Sequence, residues 1–196
     1  SLALCFLMVF MLCQPAFADA SVCEIDGTGY PTLDAALAVV GDGQTIKLLE
    51  DIAYVGCLVI EDKNITFDLN GHDLNVDNPL TDGSDEERTG LYVKGNASVA
   101  LEGMGEFNVT ANKYGVLVDG STGGSAKATV TNASATGNDG HAAFALGENA
   151  ELTVEGDATA TGVGGIGAEA TSKGLVKVEG NVTADGGHAF DPEGDY

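Results

Sequence analysis

The sequence predicts an all-β fold, a right-handed parallel β-helix with about 24 residues per coil and a short N-terminal capping helix. Apolar residues alternate with polar ones at a period of two over most of the chain, which is the pattern of half-buried strands. Segments of this kind recur at a nearly constant spacing, as in a solenoid whose coils are buried only by their neighbours. Glycine accounts for 28 of the 196 residues and tryptophan is absent, so turns are plentiful and the core must be built from aliphatic side chains.

Four short segments show the repeat most clearly, because they begin 24, 25 and 24 residues apart. They are 108–111, 132–135, 157–160 and 181–184. Two further columns of alternating residues keep a similar spacing, so each coil is expected to hold three short strands. A β-sandwich also has short strands, but it would not be expected to keep one period in three separate columns.

The first residues of these segments are expected to form one column at a turn. There, stacked amides hydrogen-bond from coil to coil, and asparagine tolerates a left-handed backbone. The column comprises Asn108, Asn132, Asp157 and Asn181. The residues that follow them are expected to stack inside the solenoid; they are Val109, Ala133, Ala158 and Val182.

The chain divides into three parts. Residues 1–20 are predicted to be a partial secretory signal peptide, because the apolar run 2–12 is followed by Pro15 and small residues typical of a cleavage site. Residues 21–44 are expected to form a strand and the capping helix, and residues 45–196 the β-helix coils, which we expect to be truncated at the C-terminus. A signal peptide predicts a secreted, extracellular or cell-wall-associated protein with no transmembrane span in this chain.

The capping helix is predicted from a short stretch of helical spacing. Thr32 is a candidate N-cap, and Gly41 is expected to end the helix. The face expected to cover the end of the solenoid comprises Leu33, Ala36, Leu37 and Val40.

Two cysteines follow the predicted signal peptide, Cys23 and Cys57. An exported protein can form a disulfide, and a pair permits one. Two free, buried thiols are the alternative. Neither cysteine lies in a motif typical of zinc binding or of thioredoxin chemistry.

The charge balance argues against one class of partner. The chain has 8 basic and 30 acidic residues, a formal net charge of −22. A protein that binds nucleic acid by neutralising phosphates needs a basic face, so no nucleic-acid partner is expected.

Three segments resemble a known family: YPTLDAAL (30–37), GDGQTIKLLEDI (41–52) and KNITFDLNGHDL (63–74). Together they are similar to the opening of pectate-lyase-like right-handed parallel β-helix domains, as found at the N-terminus of Gram-positive bacterial surface proteins. The resemblance is specific over residues 30–76 and only architectural over 90–190. It implies a helix over the N-terminal end of the solenoid and a secreted or wall-associated location.

Enzymes of that family use an arginine beside calcium held by aspartates. The only arginine here, Arg88, lies in an acidic insertion between strands. Its carboxylates, Asp82, Asp85, Glu86 and Glu87, are candidate calcium ligands because calcium prefers oxygen donors. A solvated charged loop is the alternative, and no other cofactor is expected.

Polygalacturonase-like β-helices carry Gly-His-Gly, paired aspartates on adjacent coils and Arg-x-Lys. This chain has no Gly-His-Gly, Asp-Asp or Arg-x-Lys, and nothing in the sequence marks out a catalytic pair among its 30 acidic residues. His141 and His188 each follow a glycine and lie 47 residues, two coils, apart. At about 4.8 Å per coil they are too far apart to share one metal easily, so we interpret them as surface histidines at turns.

The sequence therefore identifies no catalytic residue. It favours a non-catalytic surface module, such as a stalk, an adhesive domain or a surface that binds a glycan or a host or cell-surface protein. The alternative is a polysaccharide lyase or glycoside hydrolase of the β-helix type, which rests on architecture alone.

Overall fold

The structure, a computed structural model, describes residues 21–191. The predicted signal peptide and residues 192–196 lie outside the described part. The described chain begins with strands β1 (Cys23–Ile25) and β2 (Thr28–Tyr30) and helix α1 (Leu33–Leu37). A parallel β-solenoid of about 6 turns follows, with turns about 25 residues apart, and the predicted fold class is confirmed.

Each coil contributes three strands. In chain order the coils are β3 (Gln44–Leu48), β4 (Ile52–Val55) and β5 (Leu58–Glu61); β6 (Asn64–Asp68), β7 (Leu74–Asn78) and β8 (Thr89–Lys94); β9 (Ser98–Glu102), β10 (Phe107–Ala111) and β11 (Tyr114–Asp119); β12 (Ala126–Val130), β13 (Asn132–Ala135) and β14 (His141–Leu146); β15 (Ala150–Val154), β16 (Ala158–Ala160) and β17 (Ile166–Thr171); β18 (Leu175–Val178), β19 (Val182–Ala184) and β20 (His188–Asp191).

The first, second and third strands of the coils form three sheets, here named A, B and C. Within each sheet, successive coils pair in parallel, so every strand bonds to the equivalent strand one coil away. The predicted interior column is confirmed: Ala133 pairs with Val109 on one side and Ala158 on the other, and Ala158 pairs with Val182. Ala133 and Ala158 are fully buried in the core.

The asparagine column is a hydrogen-bonded ladder. Asn132 donates from Nδ2 to Asn108 Oδ1 (2.8 Å), and its own Oδ1 accepts the backbone N–H of Asp157 (2.8 Å). Asp157 in turn accepts from the backbone and side-chain amides of Asn181 at 2.8 and 3.1 Å. The ladder also reaches one coil further than predicted, because Asn108 donates to Asn75 Oδ1 at 3.0 Å.

The expectation of left-handed backbone in this column is wrong. Among the described residues other than glycine, positive φ occurs at Asp26, Asp62, Asn70, Asp139, Ser172 and Lys173. The column residues lie at or next to the first position of extended strands. Their side-chain amides and carboxylate, rather than their backbone freedom, therefore account for the repeat.

A hairpin that the sequence analysis missed closes one edge of sheet A. β1 pairs antiparallel with β2 and, on its other side, with β3. Asp26 and Gly27 form the two-residue loop with φ of 50° and 78°, as a type I′ turn requires. The N-terminal edge of sheet A is thus covered by a strand of opposite direction.

Helix α1 covers part of the N-terminal end of the solenoid, as predicted. Thr32 is its N-cap and accepts the Ala35 N–H at 3.1 Å. Leu33, Ala36 and Val40 are buried in the core, and Leu37 is half-buried against it. The helix ends at Leu37 with Ala38 as C-cap, so the prediction that Gly41 ends it is wrong.

A charge on the buried face of α1 should destabilise the protein more than a charge at an exposed position just beyond the helix. Leu33→Asp should lower the free energy of unfolding by at least about 2 kcal/mol, because it places a carboxylate in an apolar site. Val39→Asp is the matched control, since Val39 is 58% exposed. Urea unfolding followed by circular dichroism measures both variants. Equal losses would show that α1 does not seal the core.

Removing one side chain of the asparagine ladder should lower the free energy of unfolding. Asn132→Ala should destabilise the fold by about 1–2 kcal/mol, because the Asp157 N–H and the Asn108 Oδ1 both lose a partner. Ser134→Ala on the same strand serves as control. The free energy of unfolding is measured for both; a loss in Asn132→Ala no greater than in Ser134→Ala would argue against the ladder.

Candidate functional site

The acidic insertion, residues 79–88, connects β7 to β8 beside sheet C. Ser84 and Glu87 form a capping box in it: Glu87 Oε2 accepts from the Ser84 backbone N–H (2.8 Å) and hydroxyl (3.0 Å), while the Glu87 N–H donates to Ser84 Oγ (3.3 Å). These hydrogen bonds lower the pKa of Glu87. The insertion thus contains an ordered turn built by its own side chains.

Asn78 fastens this insertion to the solenoid. Its side chain is buried, and its Nδ2 donates to the carbonyls of Glu87 (2.8 Å) and Thr89 (2.7 Å). Thr89 is also buried and donates its hydroxyl to the Asp85 carbonyl at 2.9 Å. Both polar groups are satisfied by the insertion, so its position depends on them.

The four candidate calcium ligands are not gathered into a cluster. Asp85 forms an ion pair with Arg88, and Glu87 is bonded to Ser84. Asp82 and Glu86 are exposed. Over residues 21–191, no group of three or more His, Cys, Asp or Glu side chains is placed to hold a metal ion.

The insertion borders an aromatic face on the outer side of sheet C, defined here by Tyr92, Tyr114, His141 and Phe144. Leu91, Val93, Ala143 and Ala145 belong to the core, and strand alternation therefore turns Tyr92 and Phe144 outward. Tyr114 and His141, at the first positions of β11 and β14, are placed by their ring contacts with Phe144. Three rings are in mutual contact. Their centroids are 5.4 Å apart for Tyr114–Phe144, 5.2 Å for Tyr114–His141 and 5.3 Å for His141–Phe144.

Charged groups frame this aromatic face. His141 Nδ1 lies 2.5 Å from Glu169 Oε2, and both side chains are about 85% buried, with exposures of 15% and 14%. Tyr92 donates its hydroxyl to Asp119 Oδ2 at 3.3 Å. Lys94 Nζ lies 5.3 Å from the Tyr92 ring centre, within the range of a cation–π contact. The edge of the aromatic face therefore holds both hydrogen-bond acceptors, Glu169 and Asp119, and a cation, Lys94.

The tyrosines of the face stay protonated at neutral pH. Burial, followed by the negative charges of Asp85 and Glu169, raises the pKa of Tyr114. Burial, followed by the charge of Asp119, raises the pKa of Tyr92. Both hydroxyls are therefore hydrogen-bond donors rather than bases.

Arg88 links the insertion to the face. Its Nη2 pairs with Asp85, and its Nη1 donates to Asn112 Oδ1 at 3.3 Å. Asn112 precedes β11, which carries Tyr114. Arg88 Nε is buried without a hydrogen-bond partner, so the guanidinium is only partly satisfied.

The histidines differ from each other. His141 and His188 lie two coils apart in one column, with Ile166 between them, as the sequence analysis placed them. His188 is exposed at the start of β20. His141 begins a strand and is mostly buried in the aromatic face, so the interpretation of it as a surface turn residue is wrong.

Sequence reasoning missed the aromatic face because the rings do not recur at the repeat spacing. A signal was present, since Tyr92 stands between the inward Leu91 and Val93, and Phe144 stands next to the inward Ala143 and Ala145. Sheet B has threonine or serine at one outward position of each of β10, β13, β16 and β19. Large rings at the outward positions of sheet C would therefore have indicated a candidate site.

Two cavities lie where the insertion meets the first coils. One of about 550 Å³ is lined by Val55, Cys57, Pro79 and Leu80 among others. A second of about 200 Å³ adjoins it at Cys57 and reaches Tyr92 of the aromatic face. The insertion therefore adds walls to an otherwise flat surface.

Both cysteines are free thiols, Cys23 in the core and Cys57 half-buried. Cys23 lies in β1 of sheet A, whereas Cys57 precedes β5 of sheet C. Burial raises the pKa of each thiol to about 11. Both are thus protonated at neutral pH and weakly nucleophilic.

Comparison of the chain with protein-family models, curated proteins and solved structures found no match. Within residues 21–191, no helix is both long and apolar enough to cross a membrane.

The anchoring role of Asn78 can be tested by proteolysis. Arg88 supplies a trypsin site at the end of the insertion. Asn78→Ala removes the two hydrogen bonds that hold residues 87 and 89, so cleavage after Arg88 should accelerate about tenfold or more. Thr81→Ala, in the exposed part of the insertion, should leave the rate unchanged. Equal rates in all proteins would contradict the anchor.

Proposed function

We propose that this chain is a non-catalytic β-helix module that binds a glycan on its aromatic face. The observation that carries the proposal is the contact of three rings, Tyr114, His141 and Phe144, on the outer side of a parallel sheet. Outward positions of a β-helix need no aromatic residues for folding. The rings of Tyr114, His141 and Phe144 are partly exposed, so apolar ring surface remains for a ligand to contact.

Sugars fit this chemistry. The C–H faces of a pyranose ring can lie against aromatic rings, while its hydroxyls need donors and acceptors around them. The charged frame supplies both: Asp119 and Glu169 accept, and Lys94 and Arg88 donate. Such a mixture of apolar platform and few polar groups is typical of small-molecule binding surfaces.

The electrostatics favour a neutral glycan. The chain carries a formal net charge of −22, which repels polymers of uronic acids or sulfated sugars. Three cations lie near the face: Lys94 is paired with Glu61, Arg88 is paired with Asp85, and Lys113 donates to the Asp139 carbonyl. An acidic sugar would have to displace these partners.

Pairing of the carboxylates also supports binding rather than catalysis. Glu169 is held by His141, Asp85 by Arg88 and Asp119 by Tyr92. Glycoside hydrolysis needs two carboxyl groups on opposite sides of the scissile bond. Groups committed to neighbours are better suited to orient hydroxyls than to transfer protons.

We further propose that the module is of the pectate-lyase-like kind found in surface proteins of Gram-positive bacteria, and that it is secreted or associated with the cell wall. The support is the resemblance over residues 30–76, the apolar run 2–12 and the β-helix fold. In that setting the face would contact a glycan of a host, a neighbouring cell or the wall itself.

The proposal is tested with a panel of neutral hexasaccharides built from glucose, mannose or N-acetylglucosamine, using isothermal titration calorimetry. At least one should bind, and Tyr114→Ala or Phe144→Ala should weaken it about tenfold, the equivalent of ~1.4 kcal/mol. A hexasaccharide of galacturonate should bind more weakly than the neutral ligand.

Thr153→Ala, on the outer side of sheet A, is the matched control and should bind normally. Binding that is unaffected by the two aromatic substitutions would overturn the assignment of the site. Release of new reducing or unsaturated sugar ends during the titration would overturn the non-catalytic assignment.

A further inference from the structure

The three sheets end differently at the N-terminal end of the solenoid. The last strand of sheet A, β3, is covered by the antiparallel β1. Among the described residues, β4 of sheet B pairs only with β7, and β5 of sheet C pairs only with β8. Sheets B and C therefore each present an open strand edge at this end.

The backbone groups on the open side of β4 can be identified. Ile52 and Gly56 donate their N–H groups toward the β7 side, to the carbonyls of Asp73 (2.8 Å) and Asp77 (3.0 Å). In a parallel ladder alternate residues bond to the same neighbour. The N–H and C=O groups of Ala53 and Val55 hence point away from β7, and Val55 is 74% exposed.

A groove runs along this open edge. It has a volume of about 430 Å³, with residues 31–34 at the start of α1 on one side and residues 50–55 on the other. Tyr54 packs against the core and lines the groove together with Asp34. Burial and the charge of Asp34 raise the pKa of Tyr54 to about 12. The edge is therefore reached through a formed channel.

The groove is negatively charged. Asp34, Glu50 and Asp51 line it, and all three are exposed. The described residues that line it include no lysine or arginine. An occupant with basic side chains is favoured by this charge, and by the net charge of −22 on the whole chain.

We propose that the β4 groove binds an extended basic peptide segment of a partner protein, which adds to sheet B as a further strand. Main-chain hydrogen bonds to Ala53 and Val55 supply the affinity, and lysine or arginine side chains facing Asp34, Glu50 and Asp51 supply the selectivity. β1 already covers the edge of sheet A in the same manner. The inference is independent of the glycan site, which lies on another sheet.

The edge of sheet C does not offer the same site. Its open strand β5 adjoins the smaller cavity of about 200 Å³, which Lys94 lines. The same cavity is also lined by Glu86 and Glu87, and Lys94 is paired with Glu61, so this edge carries a cation that the lining of the β4 groove lacks. The difference makes β5 a control within the same molecule.

The probe is a fluorescein-labelled heptapeptide of alternating lysine and valine, titrated by fluorescence anisotropy. It should bind, with weaker binding at high salt, and amide chemical shifts of Ala53 and Val55 should move. The same peptide with glutamate for lysine should bind at least tenfold more weakly.

Val55→Pro removes the outward N–H without touching the ladder to β7, and should weaken binding about tenfold or more. Val59→Pro makes the same change on β5 and should have no effect. Glu50→Lys should weaken binding by charge alone, whereas Glu155→Lys, on a distant coil, should not. Circular dichroism confirms that each variant is folded.

Equal binding by the Val55→Pro and Val59→Pro proteins, or by the lysine and glutamate peptides, would overturn the proposal. Association of the chain with itself through β4, seen as concentration-dependent sedimentation abolished by Val55→Pro, would also overturn it, because a second copy would then be the occupant. Tyr114→Ala should lose glycan binding but still bind the lysine peptide. The peptide proposal can therefore be wrong while the glycan proposal is right, and the reverse.

Discussion

In-register parallel pairing between successive coils is the interaction on which the rest of this structure depends. Each strand finds its backbone partners one coil away, so neither the hydrogen bonds nor the core exists in a single coil. Because register is shared, any residue type repeated at the coil spacing becomes a column. The asparagine ladder, the alanine-filled interior and the hydroxyl contact of Thr183 with Thr159 (3.1 Å) are consequences of that one constraint.

The same constraint explains where the chain departs from regularity. Extra residues are accepted at turns, because a longer turn leaves the register of the strands on either side unchanged; the connections 79–88 and 120–125 are the long ones. The ends of the stack must be covered by something other than another coil. At the N-terminal end a hairpin and α1 do this for sheet A and the core, while β4 and β5 keep open edges.

Much of the fold could be predicted because it repeats. The spacing of Asn108 and Asn132 placed them in adjacent rungs, and Thr32 before an apolar face predicted a capped helix. The hairpin turn at Asp26–Gly27 was missed because its strands are only three residues long, too short to show a period. Gly41 looked like a helix end, but the helix stops earlier and Gly41 instead donates its N–H to Gln44 Oε1 at 2.6 Å.

The candidate site could not be predicted because it does not repeat. Tyr114 and Phe144 come together only through the pairing of β11 with β14, and Glu169 reaches His141 across the next rung. Composition alone predicted calcium ligands in the acidic insertion. It could not show that Glu87 accepts hydrogen bonds from Ser84 in a capping box. The proposed glycan site thus lies where a column of sheet C breaks its own pattern, and the proposed peptide site lies where sheet B ends in an open edge.

The most direct test of this account is a methyl nuclear Overhauser experiment on protein labelled at alanine methyl groups. Parallel in-register pairing predicts strong cross-peaks between Ala133 and Ala158 and between Ala135 and Ala160. Cross-peaks joining Ala133 to Ala160 and Ala135 to Ala158 would mean antiparallel strands, and an absence of both sets would mean unpaired ones. Either result would contradict the β-helix and every surface derived from it.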